Sequence, residues 1–225
     1  MDIRIRFLNI LCLMLLVYPV AVPSIVSNMF YNHLKHDPQK QRQSFWLFSI
    51  LNFTTIITLI FIQPNYTKDL VAIHYFTLDW SVLIGFLAAP LLILMEFGIG
   101  ALVTKLQNKK IGSFVVDERI GKEKRWIQVA ILIFAVMEEL LFRGIGYYII
   151  TQKMELPIWV FFMFSAALYA INHIHEGFLT AVQKMLTGFM LCFLFVVSKE
   201  SLLVPIVAHV TENILIIVWS KAAYE

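Results

Sequence analysis

Long apolar runs separated by short polar segments divide the chain, and each run is about the length of a membrane-spanning helix. A hydrocarbon core ~30 Å thick requires roughly 20 residues of helix. The runs are continuous rather than alternating, which indicates helices instead of the strands of a barrel. The pattern predicts spans at residues 7–28, 44–63, 81–104, 126–150, 157–173, 184–198 and 201–219, of which the sixth is short.

Two N-terminal segments bear on the number of spans. Residues 69–80 are apolar enough to lie at the membrane interface, and a partial eighth span there stays open. The first run follows Arg4 and Arg6, as the apolar part of a signal peptide would. Its apolar stretch is too long for that role, and the Ala-Val-Pro before Ser24 is a poor cleavage site. We therefore interpret the first run as an uncleaved span.

The composition agrees with a membrane protein. Hydrophobic residues make up 60% of the chain and charged residues 15%, whereas a soluble domain is about half apolar and about a quarter charged. Backbone groups in lipid must be paired internally. We therefore predict an all-α integral membrane protein, a bundle of about seven helices around an intramembrane polar cavity, forming one domain over residues 1–225. Cys12 and Cys192 lie far apart in apolar runs, which argues against a disulfide framework.

Charge in the loops predicts the orientation. The loop at 105–125 is rich in basic residues, and the positive-inside rule places such a loop in the cytoplasm. Its basic residues are Lys105, Lys109, Lys110, Arg119, Lys122, Lys124 and Arg125. With seven spans the N-terminus is then outside and the C-terminus inside, and an eighth span would move one of them. The net charge of +3 is too small and scattered to suggest a nucleic-acid partner.

Charged residues interrupt the fourth predicted span at Glu138, Glu139 and Arg143. An ionisable side chain at the centre of a membrane helix costs roughly 2.5 to 3.5 kcal/mol on insertion scales, so a chain that keeps three is expected to use them. Glu139 and Arg143 are four residues apart and can form an ion pair on one helix face. Glu138 points about 100° away, toward the interior, where it could act as a general base. The structural alternative is a Glu–Arg network that only fixes helix packing.

Two further polar sites lie in the fifth and seventh predicted spans. Tyr169 and His173 share a face at the end of the fifth, while His175 and Glu176 are expected in a solvated loop. His209 and Asn213 share a face deep in the seventh. Polar groups at that depth should face the bundle interior or a wet cavity. Their structural alternative is hydrogen bonding between helices, worth about 0.6 kcal/mol on average.

Two acids near these sites are less clear. Glu212 lies a quarter turn from the face of the seventh span that carries His209 and has no assigned role. Glu96 lies near the end of the third span, and we expect an interfacial position for it rather than a place in the site.

Together the sites supply the groups needed to hydrolyse an amide inside a membrane. A carboxylate with a histidine can activate water, and a second histidine with an asparagine can donate hydrogen bonds to the developing oxyanion. The same Glu and His set could instead hold a divalent metal with a bound water as nucleophile. Covalent catalysis is the weaker idea, because Ser165 lies two turns before His173 and Cys192 has no partner base.

The order and spacing of these residues resemble the three motifs of the CAAX protease and bacteriocin-processing (Abi) family of intramembrane proteases. The motifs are Glu138-Glu139-xxx-Arg143, Tyr169-xxx-His173 and His209-xxx-Asn213. The resemblance covers about residues 126–219, a protease core, and the segment Ser201–His209 is also similar to the family. Tyr169 departs from the family pattern, which commonly has Phe there, although the aromatic ring is kept.

The resemblance implies a cytoplasm-facing active site in a membrane helix bundle. It implies that Glu138 and His173 activate water, that His209 and Asn213 stabilise the oxyanion, and that Glu139, Arg143 and Tyr169 support them. A metal such as zinc on Glu138, His173 and His209 and a metal-free glutamate mechanism both stay open. The expected partners are membrane lipids and a substrate that is a peptide, a leader peptide or a lipidated protein, and the expected location is a bacterial cell membrane.

Two other functions stay open from the sequence. Some family members are associated with bacteriocin immunity, so the chain could bind a toxin or its receptor without proteolysis. A small transporter is a third interpretation, suggested by buried Glu and His alone. It gives no reason for the three motifs to occur in order.

Overall fold

The computed structural model describes residues 80–106, 125–174 and 177–222, together with isolated helical positions between 9 and 16 and between 47 and 58. All of the described secondary structure is helical, with no strand among these residues. The prediction of an all-α membrane protein is confirmed. Four predicted features lie wholly or mostly outside the described residues: the spans at 7–28 and 44–63, the segment at 69–80 and the basic loop at 105–125.

Five α-helices make up the continuous part of the structure. They are α1 (Val82–Leu106), α2 (Arg125–Glu139), α3 (Ile158–Asn172), α4 (Phe178–Val197) and α5 (Leu203–Ala222). Two π-helical segments, Leu140–Ile145 and Tyr148–Lys153, continue α2. In this part of the chain α1, α4 and α5 are long and apolar enough to cross a membrane, and α3 is a shorter apolar helix.

Short connections make consecutive helices antiparallel. Pro157 precedes the first residue of α3, where its fixed φ and missing N–H are tolerated. Gly177 precedes α4 with φ at 120°, a conformation that L side chains rarely adopt. Lys199 and Glu200, both with positive φ, form the turn that leads from α4 toward α5. The chain therefore crosses back and forth from α2 to α5.

The sixth predicted span is longer than the sequence indicated. We predicted a short span at 184–198, whereas α4 begins at Phe178 and has 20 residues. The prediction was wrong because Lys184 was taken as the edge of the apolar segment. Lys184 instead lies inside the helix, where it pairs with carboxylates of two other helices.

Close packing holds the bundle together where small residues face a neighbouring helix. At Gly85 in α1 an added Cβ would lie 2.6 Å from the backbone oxygen of Val204 in α5. At Gly188 in α4 it would lie 3.0 Å from the Cα of Ala166 in α3. Glycine lets backbones approach in this way, as in other membrane helix pairs. Helices α1, α4 and α5 all contact one another, and α2 packs against α5.

The polarity of the described bundle is suited to lipid. Large apolar side chains such as Leu87, Leu94 and Trp159 are exposed on its outside. The interior holds Glu138, Glu139, Arg143 and other charged residues among apolar side chains. A soluble protein rarely buries such residues. This arrangement indicates an integral membrane protein whose polar groups are gathered inside.

Candidate active site

The first motif lies where α2 passes into the first π-helical segment. Glu138 and Glu139 are the last two residues of α2, and Arg143 lies in the segment that follows. All three are buried, with Arg143 and Glu139 at 0% exposure. Arg143 Nη1 donates to Glu139 Oε1 at 3.0 Å. The ion pair that the spacing predicted is therefore present.

Arg143 also joins this helix to two others. Its Nη2 donates to the backbone oxygen of Gly188 in α4 at 3.2 Å, and its guanidinium carbon lies 5.0 Å from the ring centroid of Tyr169 in α3. The missing side chain at Gly188 allows α3 and α4 to approach closely next to this contact. One guanidinium thus ties together three elements at the level of the two carboxylates.

The π-helical geometry affects which side chains point inward after Glu139. In a π-helix each N–H bonds to the carbonyl five residues earlier, as the N–H of Gly146 does to Leu141. The wider turn changes the angular spacing that an α-helix would give to the residues beyond Glu139. Single turns of this kind inside α-helices are frequent at functional sites.

Glu138 accepts a hydrogen bond from the side-chain amide of Asn172 at the end of α3. Its other oxygen, Oε2, lies 3.9 Å from His209 Nε2 on α5. Electrostatic interactions also join Glu138 to His173. The carboxylate therefore lies where α2, α3 and α5 converge, which is the arrangement the three motifs required.

His209 contacts both supporting residues of the first two motifs. Its Nδ1 lies 2.8 Å from Glu139 Oε1, and its Nε2 lies 3.0 Å from the hydroxyl of Tyr169. Because a carboxylate only accepts, Nδ1 carries the proton. In the neutral ring Nε2 then accepts from Tyr169, and in the doubly protonated ring it donates. Glu139 thus holds both Arg143 and His209, whereas the sequence had given it Arg143 alone.

The other two predicted site residues lie at the edge of this group. His173 is the residue that ends α3, and its ring centroid is 5.1 Å from that of Tyr169. Asn213 lies one turn after His209 on α5 and is half-buried. His175 and Glu176 lie outside the described residues. The structure therefore brings Glu138, Glu139, Arg143, Tyr169 and His209 into one contacting group, with His173 and Asn213 beside it.

A second polar cluster, which we call the lysine cluster, lies next to the first and consists of Glu96, Lys184, Thr187 and Glu212. Lys184 Nζ is 2.8 Å from Glu96 Oε1 and 3.6 Å from Glu212 Oε1. Thr187 donates to Glu96 Oε1 at 2.6 Å. Electrostatic interactions link the two clusters, between Glu96 and His173 and between Glu212 and His209.

Sequence reasoning missed three residues in or beside these clusters, Asn172, Lys184 and Thr187, and misplaced Glu96. Asn172 was given no role, and Lys184 was placed at the start of the sixth predicted span. Glu96 was expected at the interface, but its side chain is only 16% exposed and pairs with Lys184. The sequence did show a lysine and a glutamate on different apolar runs. These two residues can be predicted to pair only when the two helices are known to be in contact.

The polar atoms of the first cluster are arranged for hydrogen bonding to one another. In the described part of the chain no group of three or more His, Cys, Asp or Glu residues is placed to hold a metal ion. Both ring nitrogens of His209 already contact protein oxygens, and Glu138 accepts from Asn172. A zinc site of Glu138, His173 and His209 stays a prediction from the family resemblance, and His209 would have to leave a present partner to bind a metal.

One comparison with known proteins gives a match. The family described as type II CAAX prenyl endopeptidase Rce1-like matches residues 123–215, a segment that contains all three motifs. No curated protein and no solved structure matches the chain. The resemblance that the motifs predicted is thus confirmed: residues 123–215 of this chain are similar to the Rce1-like family of CAAX prenyl endopeptidases.

Proposed function

We propose that this protein is an intramembrane endopeptidase in which Glu138 activates the water that cleaves a peptide bond. The observation that carries the proposal is the position of Glu138. Its carboxylate is 2% exposed, lies among apolar helices and meets polar groups from α3 and α5. Burying a carboxylate in a membrane costs free energy, so a chain that contains one there is expected to use it. The family match supports peptide hydrolysis as that function.

In the proposed reaction Glu138, assisted by His173, takes a proton from water while the water oxygen attacks the carbonyl carbon of the substrate. The carbonyl oxygen becomes an oxyanion that accepts hydrogen bonds from His209 and Asn213. The intermediate then collapses, the bond to nitrogen breaks, and Glu138 returns the proton to the leaving amine. His209 can donate from Nε2 only when both ring nitrogens are protonated, because Nδ1 already donates to Glu139. In the proposed reaction the Nε2–H turns from the Tyr169 hydroxyl, which it contacts at 3.0 Å, to the oxyanion.

Supporting residues hold these groups in place in this proposal. Asn172 fixes one oxygen of Glu138, so the other oxygen is directed toward His209. Glu139 holds His209 in one orientation, and Arg143 offsets the charge of Glu139. A histidine that donates to a carboxylate keeps a defined tautomer and ring orientation. No step in this account requires a metal.

We place cleavage near the cytoplasmic side of the membrane. Glu138 contacts Asn172 at the end of α3 that leads toward α4, and His173 is the next residue. The basic loop before α2 supports a cytoplasmic start for that helix. A substrate from the cytoplasm would then reach Glu138 past the ends of α3 and α4.

A prenylated peptide with a CAAX terminus is the first substrate to test, because it is the substrate in the description of the matching family. The full chain in lipid nanodiscs should cleave this peptide, and mass spectrometry should show one water added per bond cleaved. A panel with an unprenylated peptide and a leader peptide would show which class is cleaved. Absence of cleavage of every class by the folded protein would overturn the proposal.

A further inference from the structure

The lysine cluster joins three helices through buried charge. Lys184 belongs to α4, Glu96 to α1 and Glu212 to α5. The side chains of Lys184 and Glu96 are 12% and 16% exposed, and that of Glu212 is 0% exposed. Taking such groups out of water is costly for each ion. Because each of the three helices contributes a buried charge at this cost, we infer that the cluster has a role beyond packing.

The cluster reaches directly into the third motif. Glu212 lies between His209 and Asn213 in the sequence, adjacent to Asn213 and three residues after His209. Its charge interacts with His209. Within the lysine cluster Lys184 is the cation, and Glu96 is the closer of its two carboxylates. The cluster thus has one cation for two carboxylates, and the cation that partly offsets Glu212 belongs to another helix.

An uncompensated charge on Glu212 would oppose the proposed reaction. Negative charge develops on the substrate oxygen in the transition state, next to the donors His209 and Asn213. A fixed carboxylate beside those donors, away from water, would raise the energy of that state more than the energy of the neutral substrate. A cation that offsets the carboxylate removes this penalty.

We propose that Lys184 is a positioning residue that offsets the charge of Glu212 and holds α5 so that His209 and Asn213 can stabilise the oxyanion. The inference rests on the proposed function and extends it to a residue outside the three motifs. Lys184 acts through Glu212 and α5 and does not touch the substrate.

Glu96 fixes Lys184 for this role from α1. Its side chain binds Lys184 and accepts from Thr187, while its backbone oxygen accepts from Gln183 at 2.6 Å. Three residues on one face of α4 thus contact Glu96, and these contacts set the position of Lys184. Glu96 precedes the region that matches the family. In this inference the residues that support the active site therefore extend beyond residues 123–215.

The test compares three variants with the wild type in nanodiscs. Its substrate, the reporter peptide, is the peptide of the panel above that the wild type cleaves. We expect Lys184→Met to lower kcat by at least about tenfold with KM nearly unchanged, because the charge acts on the transition state. Lys184→Arg keeps the charge and should recover most of the rate. The double variant Lys184→Met with Glu212→Gln also lacks the carboxylate that opposes the oxyanion. Its kcat should therefore be higher than that of Lys184→Met.

A role in packing alone predicts a different result. The rate would then follow only the folded fraction that thermal melting measures, so a kcat per folded protein that is unchanged in Lys184→Met would overturn the inference. A double variant no faster per folded protein than Lys184→Met would overturn it as well. Lys105→Met, an exposed lysine in the last turn of α1, is the matched control and should leave both constants unchanged.

The variant Glu138→Gln separates this inference from the proposed function. If the wild type cleaves the reporter and Glu138→Gln does not, the proposed function stands, and the Lys184 series alone decides the inference. If Glu138→Gln cleaves at the wild-type rate, the proposed function fails, and the role assigned to Lys184 fails with it. Thermal melting of each variant in detergent shows that the compared proteins are folded.

Discussion

At the scale of the residue, the buried charges divide into those that hold the site and the one proposed to react. Arg143 contacts Glu139, Gly188 and the ring of Tyr169, and Glu139 also contacts His209. Glu138 is held by a neutral amide and lies 3.9 Å from a histidine. The two adjacent carboxylates therefore differ in their partners, as their angular separation on the helix predicted.

Arg143 should be essential for stability. Arg143→Met leaves Glu139 buried without its cation, and breaking a buried ion pair in this way costs about 3–5 kcal/mol. We expect a clearly lower melting temperature in detergent for this variant. Glu138→Gln keeps the size and the acceptor for Asn172 and should melt near the wild type.

The double variant Arg143→Met with Glu139→Gln is the control for this prediction. Because it removes both charges, it should recover part of the lost stability. A wild-type melting temperature for Arg143→Met alone would show that the ion pair does not stabilise the fold.

The hydroxyl of Tyr169 should matter less than its ring. Tyr169→Phe removes one hydrogen bond to His209, worth about 0.5–1.5 kcal/mol, so the cleavage rate should stay within about tenfold of the wild type. The ring would still cover Arg143 at 5.0 Å and pack against His209 at a centroid distance of 5.5 Å.

Steady-state cleavage rates check this prediction, with Tyr169→Ala as the comparison that also removes the ring. That larger truncation should reduce both rate and stability. If Tyr169→Phe is as inactive as Glu138→Gln, the hydroxyl has a direct part in the reaction and the supporting role given to it is wrong.

The residues that sequence could and could not identify differ in the range of their contacts. Glu139 and Arg143 are one helical turn apart, so spacing alone predicted their pair. Asn172 and Glu138 are 34 positions apart, and Lys184 and Glu96 touch only because α1 packs against α4. Local periodicity carries no information on which distant helices meet, so these contacts needed the structure.

At the scale of the element, apolar length predicted helix positions well and helix geometry less well. The predicted spans at 157–173 and 201–219 correspond to Ile158–Asn172 and Leu203–Ala222. The π-helical segments after Glu139 were not predicted, because apolar run length does not distinguish a π-helical turn from an α-helical one. The start of α4 was misjudged because a charge inside an apolar run looks like its boundary until a partner on another helix is known.

The approach of α1 to α5 should depend on Gly85. A Cβ there would meet the backbone oxygen of Val204 at 2.6 Å, and backbone cannot move aside as a flexible side chain can. We expect Gly85→Ala to destabilise the protein by about 1–3 kcal/mol, as overpacking does. Melting temperatures in detergent measure the effect.

Gly98, on the same helix, provides the matched control because nothing lies within 4 Å of an added Cβ there. Gly98→Ala should be neutral or stabilising by up to about 1 kcal/mol, since alanine favours helix. Equal melting temperatures for the two variants would show that α1 does not pack against α5 as closely as described.

At the scale of the whole molecule, the fold encloses two connected polar clusters within an apolar exterior. Helices α2, α3 and α5 bring the three motifs together, and α1 and α4 add the lysine cluster beside them. The cytoplasmic orientation inferred from loop charge stays a prediction. The account as a whole depends on one claim, that this enclosed polar region hydrolyses a peptide bond through Glu138.

The most direct measurement of that claim is the rate at which purified Glu138→Gln cleaves the reporter peptide in nanodiscs. Glu155→Gln, an exposed glutamate in the turn before α3, provides the matched control. General base catalysis contributes about 10²–10⁴-fold, so Glu138→Gln should be slower than wild type by at least ~10²-fold while melting at the same temperature. Glu155→Gln should cleave at the wild-type rate. A folded Glu138→Gln protein that cleaves as fast as the wild type would contradict the account.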